Sequence, residues 1–245
     1  MSARILLSTA RRALAQLRHD RRTVAMILVI PLVLLVLVYY LFENQPGTFD
    51  HVGLTMLGLF PFVLMFIVTS VAMLRERTSG TLERLLTTPL HKADLLFGYG
   101  LAFGLAAAVQ AVLATGLAYW ALDLRTQGTI ALVVVIAVCD AVLGMALGLF
   151  FSAFAQSEFQ AVQFMPVVIV PQLLLAGIIV PRAQLPTWLE WISNAMPASY
   201  ALEALQQVSA HAELTAVAVR DMVVVLAFAV VAMALAAATL RRRTP

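Results

Sequence analysis

The sequence predicts an all-α membrane protein with six transmembrane helices, and two observations carry that prediction. The 245 residues are 62% hydrophobic and only 12% charged, whereas soluble domains are roughly half apolar and about a quarter charged. Apolar stretches of about 20 residues, the length that crosses a bilayer as a helix, fill most of the chain. The stretches lack the alternating polarity of barrel strands, so helices are expected. We therefore predict one membrane domain over residues 1–245.

Six segments are long and apolar enough to be spans. They cover residues 24–42, 52–74, 97–120, 129–151, 159–180 and 222–240. The first segment follows a basic stretch, as a signal peptide would, but it is longer than the apolar core of a signal peptide. It also ends in the bulky sequence Tyr-Tyr-Leu-Phe instead of in small residues. We therefore predict an uncleaved first span.

The distribution of Lys and Arg predicts that both termini face the cytoplasm. Residues 1–23 hold six basic side chains, residues 75–96 hold four and residues 241–243 hold three, so these segments contain thirteen of the sixteen in the chain. Basic residues concentrate in the cytoplasmic segments of membrane proteins. The other three fall in segments that a six-span arrangement puts outside: Arg125, Arg182 and Arg220.

The N-terminal segment, residues 1–23, is amphipathic at the helical period. One face of a helix over this segment carries Arg4, Arg11, Arg18 and Arg22. The opposite face carries Leu6, Ala10, Leu14 and Leu17. Such a helix is expected to lie in the cytoplasmic headgroup layer, in contact with membrane lipid. The alternative is that the segment acts only as a topology signal.

The connection after the second span predicts a short helix over residues 81–89. Gly80 is a natural end for the preceding helix, Thr81 can cap a new one, and Pro89 ends it. Its leucines form one apolar face, at positions 82, 85 and 86. The pattern favours an amphipathic helix that lies across the cytoplasmic surface. The alternative is a solvated loop with helical tendency.

The run from Arg75 to Leu90, RERTSGTLERLLTTPL, resembles the segment that marks ABC-2 type transporter permeases, and specifically their drug-resistance exporter branch. The resemblance extends to the six spans, the basic N-terminal helix and the stretch from Leu185-Pro186 to Ser199-Tyr200. It implies that residues 81–89 form a coupling helix, which docks in a groove of an ATP-hydrolysing subunit. By the same resemblance, six residues contact that ATPase subunit: Glu76, Arg77, Gly80, Thr81, Glu83 and Arg84.

The chain carries no ATP site of its own. A phosphate-binding P-loop requires Gly-Lys followed by Ser or Thr, but the only lysine, Lys92, lies between His91 and Ala93. We therefore expect no cofactor in this chain, with ATP and Mg²⁺ bound by a separate ATPase subunit. The resemblance implies a dimer of two permease copies, or of a related pair, with the pathway between them. It also implies multidrug-type efflux of a drug, lipid or glycolipid, and we expect no nucleic-acid partner. The single lysine against fifteen arginines, with abundant alanine, suggests a bacterial gene, so we expect the chain in a bacterial cytoplasmic membrane.

The segment 181–220 is too long to be a turn and too polar to be a transmembrane span. Trp188 and Trp191, spaced for one helix face, suit the membrane interface. Pro186 is expected to start one short helix, and Pro197 to separate it from a second that runs from Ser199 to Ala210. Related permeases have interfacial or re-entrant helices here, which implies an extracellular hairpin that closes the pathway. The alternative is that the tryptophans only anchor the protein vertically.

The fifth span contains Pro166 and Pro171, so its backbone hydrogen bonding is expected to be interrupted and repaired locally. The resemblance implies that the second and fifth spans face the partner protomer. It places six side chains near the substrate: Phe60, Phe62, Met65, Phe66, Gln163 and Gln172. The alternative is that the glutamines bind the carbonyl groups that the prolines free.

Asp140 lies near the middle of the fourth span, where an ionised side chain costs roughly 2.5 to 3.5 kcal/mol. Gln110 lies at a similar depth on the preceding antiparallel span, and we predict a hydrogen bond between the two. A structural pair is favoured over a proton relay, because no other acid lies so deep. A proton-coupled secondary carrier that uses Asp140 is the alternative function, although the sequence lacks paired broken helices in two halves.

An intramembrane enzyme is the third hypothesis, and the sequence offers no catalytic constellation for it. The four histidines are scattered, and neither a zinc-binding His-Glu-x-x-His nor a Gly-x-Ser-x-Gly motif is present. Cys139 is the only cysteine, which excludes an intrachain disulfide. We predict no metal site.

Overall fold

The computed structural model describes residues 3–80, 92–178 and 180–239, and all regular structure in these ranges is helical. The α-helices, in chain order, are α1 (Ala3–His19), α2 (Arg21–Leu41), α3 (Pro46–Thr78), α4 (Lys92–Trp120), α5 (Ile130–Phe151), α6 (Glu158–Leu175), α7 (Thr187–Asn194), α8 (Pro197–Ala210) and α9 (Ala216–Thr239). Six of them, α2 to α6 and α9, are long and apolar enough to cross a membrane. The predicted all-α fold with six candidate spans is confirmed.

The N-terminal helix α1 packs along α4, and its small residues make the contact. Ala10 and Ala13 are buried, and Thr9 lies so close to Gly98 of α4 that a Cβ there would be 2.6 Å from the Thr9 Cβ. Asp20 then caps α2, because its carboxylate accepts hydrogen bonds from the Thr23 backbone N–H and hydroxyl. One capping residue therefore separates the amphipathic helix from the first span.

The helices extend beyond the predicted spans in some places and stop short of them in others. The third helix begins at Pro46, with proline at its first turn, and continues past residue 74 to Thr78. The sixth helix contains both prolines without a break but ends at Leu175, before the predicted limit at residue 180. Gly177 follows in the left-handed region at φ 88°, a conformation that ends helices.

The closest helix contact joins α3 to α5 through two glycines. A Cβ on Gly144 would lie 2.1 Å from the Phe62 carbonyl oxygen, and one on Gly148 would lie 2.4 Å from the Phe66 carbonyl oxygen. Glycines four residues apart let two membrane helices approach to backbone contact. The two helices therefore pack as one rigid pair.

Three apolar clusters fill the described bundle, two large ones and a small one that contains Leu74, Ala155 and Ala161. We call the end that carries α1 and the last turn of α3 the basic end, and its cluster includes Phe66, Met73 and Leu149. We call the opposite end the hairpin end, and its cluster includes Leu57 and Leu205. The spans are thus held together along their full length.

The hairpin between α6 and α9 consists of two short helices. The helix α7 follows Pro186, as predicted. The helix α8 ends at Ala210, as predicted, but it starts at Pro197, two residues before the predicted start at Ser199. Trp188 and Trp191 on α7 are exposed. The last helix begins at Ala216, earlier than the predicted span at residue 222, so the end of the predicted hairpin belongs to α9.

Candidate functional site

The last turn of α3 presents three consecutive charged side chains, Arg75, Glu76 and Arg77, to three different neighbours. We call these residues the α3 terminus. Successive side chains of a helix point about 100° apart, so three in a row cannot share one partner. Helix α3 places them at the basic end, immediately before its last residue, Thr78.

Glu76 joins the α3 terminus to the N-terminal helix. It is only 7% exposed, its Oε1 accepts a hydrogen bond of 3.1 Å from the Gln16 amide, and its Oε2 lies 3.7 Å from the Arg12 guanidinium. Arg12 in turn donates to the Tyr99 hydroxyl at 2.6 Å and lies over that ring. A buried carboxylate requires such partners, so α1, α3 and α4 are tied together through one acidic side chain.

Arg75 joins the α3 terminus to α6 and to the start of α2. Its Nε and Nη2 donate to the two oxygens of Glu158, at 2.7 and 3.1 Å. This fork-on-fork geometry is specific to arginine and carboxylate. Nη1 lies 3.8 Å from Asp20. The pair is largely exposed, so its contribution is orientation more than stability.

Arg77 joins the α3 terminus to the end of α5. Its Nη1 donates a hydrogen bond of 3.1 Å to the carbonyl of Ser152, the residue that ends that helix. The last carbonyl groups of a helix lack backbone donors and carry partial negative charge, so a guanidinium is a favourable partner. The α3 terminus is thus fixed to α1, α2, α5 and α6, and a displacement of this turn would move all four.

The remaining residues assigned to ATPase contact lie at or past the edge of the described chain. Gly80 has φ 70° and open space around it. Thr81, Glu83 and Arg84, with the whole predicted helix 81–89, lie outside the described residues.

Sequence reasoning missed the partners of the α3 terminus, which are Arg12, Gln16, Asp20, Ser152 and Glu158, and it missed the contact of Arg12 with Tyr99. One signal was available, because Arg12 and Gln16 are spaced four residues apart and interrupt the pattern of the N-terminal helix. Gln16 and Glu76 are 60 residues apart in the sequence, however, so no local pattern predicts their contact.

The side chains assigned to the substrate pathway do not lie together on one open surface of this chain. Phe62, Met65 and Phe66 are buried in the core at the α3–α5 contact, Phe60 is half-buried, and Gln163 is exposed on α6.

Gln172 connects α6 to the hairpin. It is 5% exposed, its Nε2 donates to the Val168 carbonyl, and its Oε1 accepts from the Ala198 N–H at the start of α8. The Ser193 hydroxyl adds a second link, a hydrogen bond of 2.8 Å to the Leu175 carbonyl. The end of α6 therefore moves together with the hairpin helices.

Asp140 and Gln110 are both buried, but they do not form the predicted hydrogen bond. Among the described residues neither amide atom of Gln110 has a hydrogen-bond partner, and neither does Asp140 Oδ1. Gly104 faces Val142, and Gly100 faces Met145, a register that puts Gln110 about one helical turn from Asp140. The carboxyl group instead faces Gly58 of α3.

Arg182 organises the hairpin end. It donates to Glu203 on α8 and to Asn194 on α7, and its guanidinium lies 5.2 Å from the Tyr200 ring centroid. Only 17% of its side chain is exposed. One cation thus holds both hairpin helices against the stretch that follows α6.

The other two arginines of the predicted outer segments are also paired with acids. Arg220 donates to Asp221 at 2.7 Å and lies 3.6 Å from Glu203. Arg125 pairs with Asp123, two residues earlier in the chain, and this pairing raises the pKa of its exposed guanidinium. Within the described ranges no group of three His, Cys, Asp or Glu side chains could hold a metal ion.

Comparison with known proteins identifies the fold family. The model of the ABC-2 type transporter family matches residues 4–209. ABC transporter G family member 20 of Dictyostelium discoideum is 31% identical over 159 residues, which is 65% of this chain and 22% of that protein. The probable multidrug ABC transporter permease YbhR of Escherichia coli K12 is 28% identical over 142 residues, 57% of this chain and 39% of YbhR.

The aligned part of this chain therefore corresponds to less than half the length of these relatives. The family match covers the N-terminal helix, the α3 terminus, the first five spans and nearly all of the hairpin. This type of membrane domain lacks a nucleotide-binding domain. The chain belongs to the ABC-2 type transporter family, as a multi-pass membrane permease subunit.

Proposed function

We propose that this chain is the membrane subunit of an ATP-driven exporter of the drug-resistance branch, and that it moves an amphipathic or hydrophobic compound out of the cytoplasm or inner leaflet. The observation that carries the proposal is the α3 terminus, where three consecutive side chains join the end of one span to four other helices. A docked partner that moved this turn would move the bundle with it. The printed name of YbhR, a probable multidrug permease, supports the substrate class.

In this proposal the ATPase subunit docks on residues 81–89. Thr81, Glu83 and Arg84 contact it directly, and Gly80 permits the turn of the chain towards it. Glu76 and Arg77 act at the base of the docking segment, where their contacts with α1 and α5 support its position. Two permease copies, or a related pair, complete the transporter, with the pathway at the face of α3 and α6.

Copurification with an ATPase subunit, followed by measurement of ATP hydrolysis, tests the proposal. Glu83→Ala and Arg84→Ala are expected to reduce hydrolysis that depends on the transported compound, with membrane insertion unchanged. Glu43→Ala and Arg125→Ala, at the opposite end of the bundle, are matched controls that should leave it intact. Transport that survives ATP depletion, with no ATPase copurifying, would refute the proposal.

The proposal also requires both termini on the cytoplasmic side of a bacterial inner membrane. In a Cys139→Ser background, Ser8→Cys and Thr187→Cys place one thiol at each end of the bundle. An impermeant maleimide added to intact cells is expected to label Thr187→Cys and to spare Ser8→Cys. The reverse labelling pattern would place residues 81–89 on the extracellular side of the membrane and would contradict the proposal.

A proton-coupled carrier is the second candidate, because Asp140 is buried with one oxygen lacking a hydrogen bond. The variant Asp140→Asn separates the two functions. An exporter keeps ATP-dependent transport in this variant, whereas a carrier loses its dependence on the proton gradient.

A further inference from the structure

A cavity of about 520 Å³ lies at the basic end, enclosed by α1, the start of α2, α3 and α4. Its volume is within the range of about 300–1,000 Å³ that is typical of small-molecule sites. Apolar side chains form most of its wall, among them Leu17, Met26, Leu64, Val68 and Phe103. This cavity lies inside one chain, and it includes none of the six side chains assigned to the pathway between protomers.

The lining changes from apolar to charged along the helix axes. On α3 it begins at Leu64, continues through Val68 and reaches Arg75, Glu76 and Ser79. The distance from Leu64 to Glu76 is about 18 Å along the helix. On the antiparallel α2 side it begins with Asp20 and reaches Met26 deeper in the span. The cavity therefore has a polar end level with the membrane surface and an apolar end in the hydrocarbon layer. This distribution of polarity matches that of an amphiphilic ligand.

Three charged side chains line the polar end: Arg75, Asp20 and Glu76. With their partners Arg12 and Glu158, this end carries two guanidinium groups and three carboxylates. Arg75 lies 3.8 Å from Asp20, and Glu76 is the next residue along α3. Hydrogen bonds from Thr23 hold the pKa of the Asp20 carboxyl below its ordinary value, so that side chain is ionised at neutral pH. This excess of carboxylate groups disfavours a lipid with an anionic headgroup. The carboxylate oxygens accept hydrogen bonds, so they favour a headgroup that has N–H donors.

A second feature places the mouth of the cavity towards lipid. Met26 is exposed on the outer surface of α2, and Arg75 and Asp20 retain substantial exposed side-chain area. A molecule of the surrounding leaflet could thus insert its chain beside Met26 while its head stays at the membrane surface.

We propose that this cavity binds a phospholipid whose zwitterionic headgroup carries a primary ammonium group, with the ammonium at Asp20 and Glu76, the phosphate at Arg75, and one acyl chain along Val68. The inference requires only that the chain span a bilayer. It does not depend on ATP-driven transport, so either proposal can fail without the other.

Binding to the purified full chain in detergent tests the inference. Native mass spectrometry would compare phosphatidylethanolamine with phosphatidylglycerol and phosphatidylcholine, all with the same acyl chains. We expect phosphatidylethanolamine to bind about tenfold more tightly than either, which is the factor that one charged hydrogen bond supplies. Equal retention of the three lipids, or preference for phosphatidylglycerol, overturns the inference.

Two variants locate the site. Val68→Trp fills the cavity and is expected to lower phosphatidylethanolamine binding at least about tenfold, while Val167→Trp on the exposed face of α6 leaves it unchanged. Asp20→Asn retains a helix-capping side chain and is expected to abolish the preference over phosphatidylglycerol, whereas Glu190→Gln in the hairpin retains it. Should Val68→Trp fail to fold, Asp20→Asn decides alone: an unchanged preference in that variant overturns the inference.

Discussion

The hydroxyl of Thr69 on α3 shares its hydrogen between two carbonyl groups, that of Met65 in its own helix at 2.6 Å and that of Met145 on α5 at 3.1 Å. A side chain as short as threonine reaches the backbone of another helix only where the two axes approach closely. Gly144 and Gly148 create that approach. The α3 terminus is the last turn of the same helix. A movement of that turn would therefore pass to α5 through the α3–α5 contact.

Replacing Gly144 with alanine is expected to destabilise the protein by about 1–3 kcal/mol, the usual cost of overpacking. Its Cβ would meet the Phe62 backbone, which cannot move aside as a flexible side chain can. Gly104→Ala on α4 is the matched control, because its Cβ would lie 3.9 Å from Val142. In that open site alanine should be neutral or stabilise the helix by up to about 1 kcal/mol.

Unfolding in mixed micelles with increasing SDS measures both variants. Equal stability of Gly144→Ala and Gly104→Ala would mean that α3 and α5 are farther apart than described. A selective loss in Gly144→Ala, with wild-type insertion, would establish the contact.

Glu76→Ala is expected to release α1 from α3. The change leaves the Gln16 amide and the Arg12 guanidinium without their carboxylate, at a cost of about 1–3 kcal/mol for partners of this kind. Hydrogen exchange of the backbone over residues 9–18 should therefore accelerate several-fold. Glu43→Ala, an exposed acid at the other end of the bundle, should leave the exchange of α1 unchanged. Equal acceleration in both variants would argue for general destabilisation instead of a local tie.

The number of spans and the two hairpin helices were predictable because both follow from local features, hydrophobic length and proline position. The contacts between spans were not predictable from the sequence. Arg12 meets Glu76 only after three helices have packed, and the Gln110–Asp140 bond failed because antiparallel register, which sequence does not reveal, offsets the two by about one turn. The Gly144–Gly148 pair was a readable signal for close packing that sequence reasoning left unused.

Gln172→Leu is expected to loosen the hairpin by removing the acceptor for the Ala198 N–H. One lost hydrogen bond of this kind costs about 1 kcal/mol, and the exchange of the first turn of α8 should rise accordingly. Gln163→Leu is the matched control on the same helix, because its side chain is exposed. A similar rise in both variants would assign the effect to α6 itself and not to the link with α8.

Arg182→Ala is expected to separate the two hairpin helices, because Asn194 on α7 and Glu203 on α8 share this one cation. Losing a partly buried charged hydrogen bond costs about 1.5–3 kcal/mol. In a Trp120→Phe background, Trp188 and Trp191 report on α7 alone, and their quenching by iodide should increase. The matched control Arg125→Ala removes an exposed arginine at the same end, so quenching should not change. Unaltered quenching in Arg182→Ala would show that Gln172 and Ser193 hold the hairpin without the arginine.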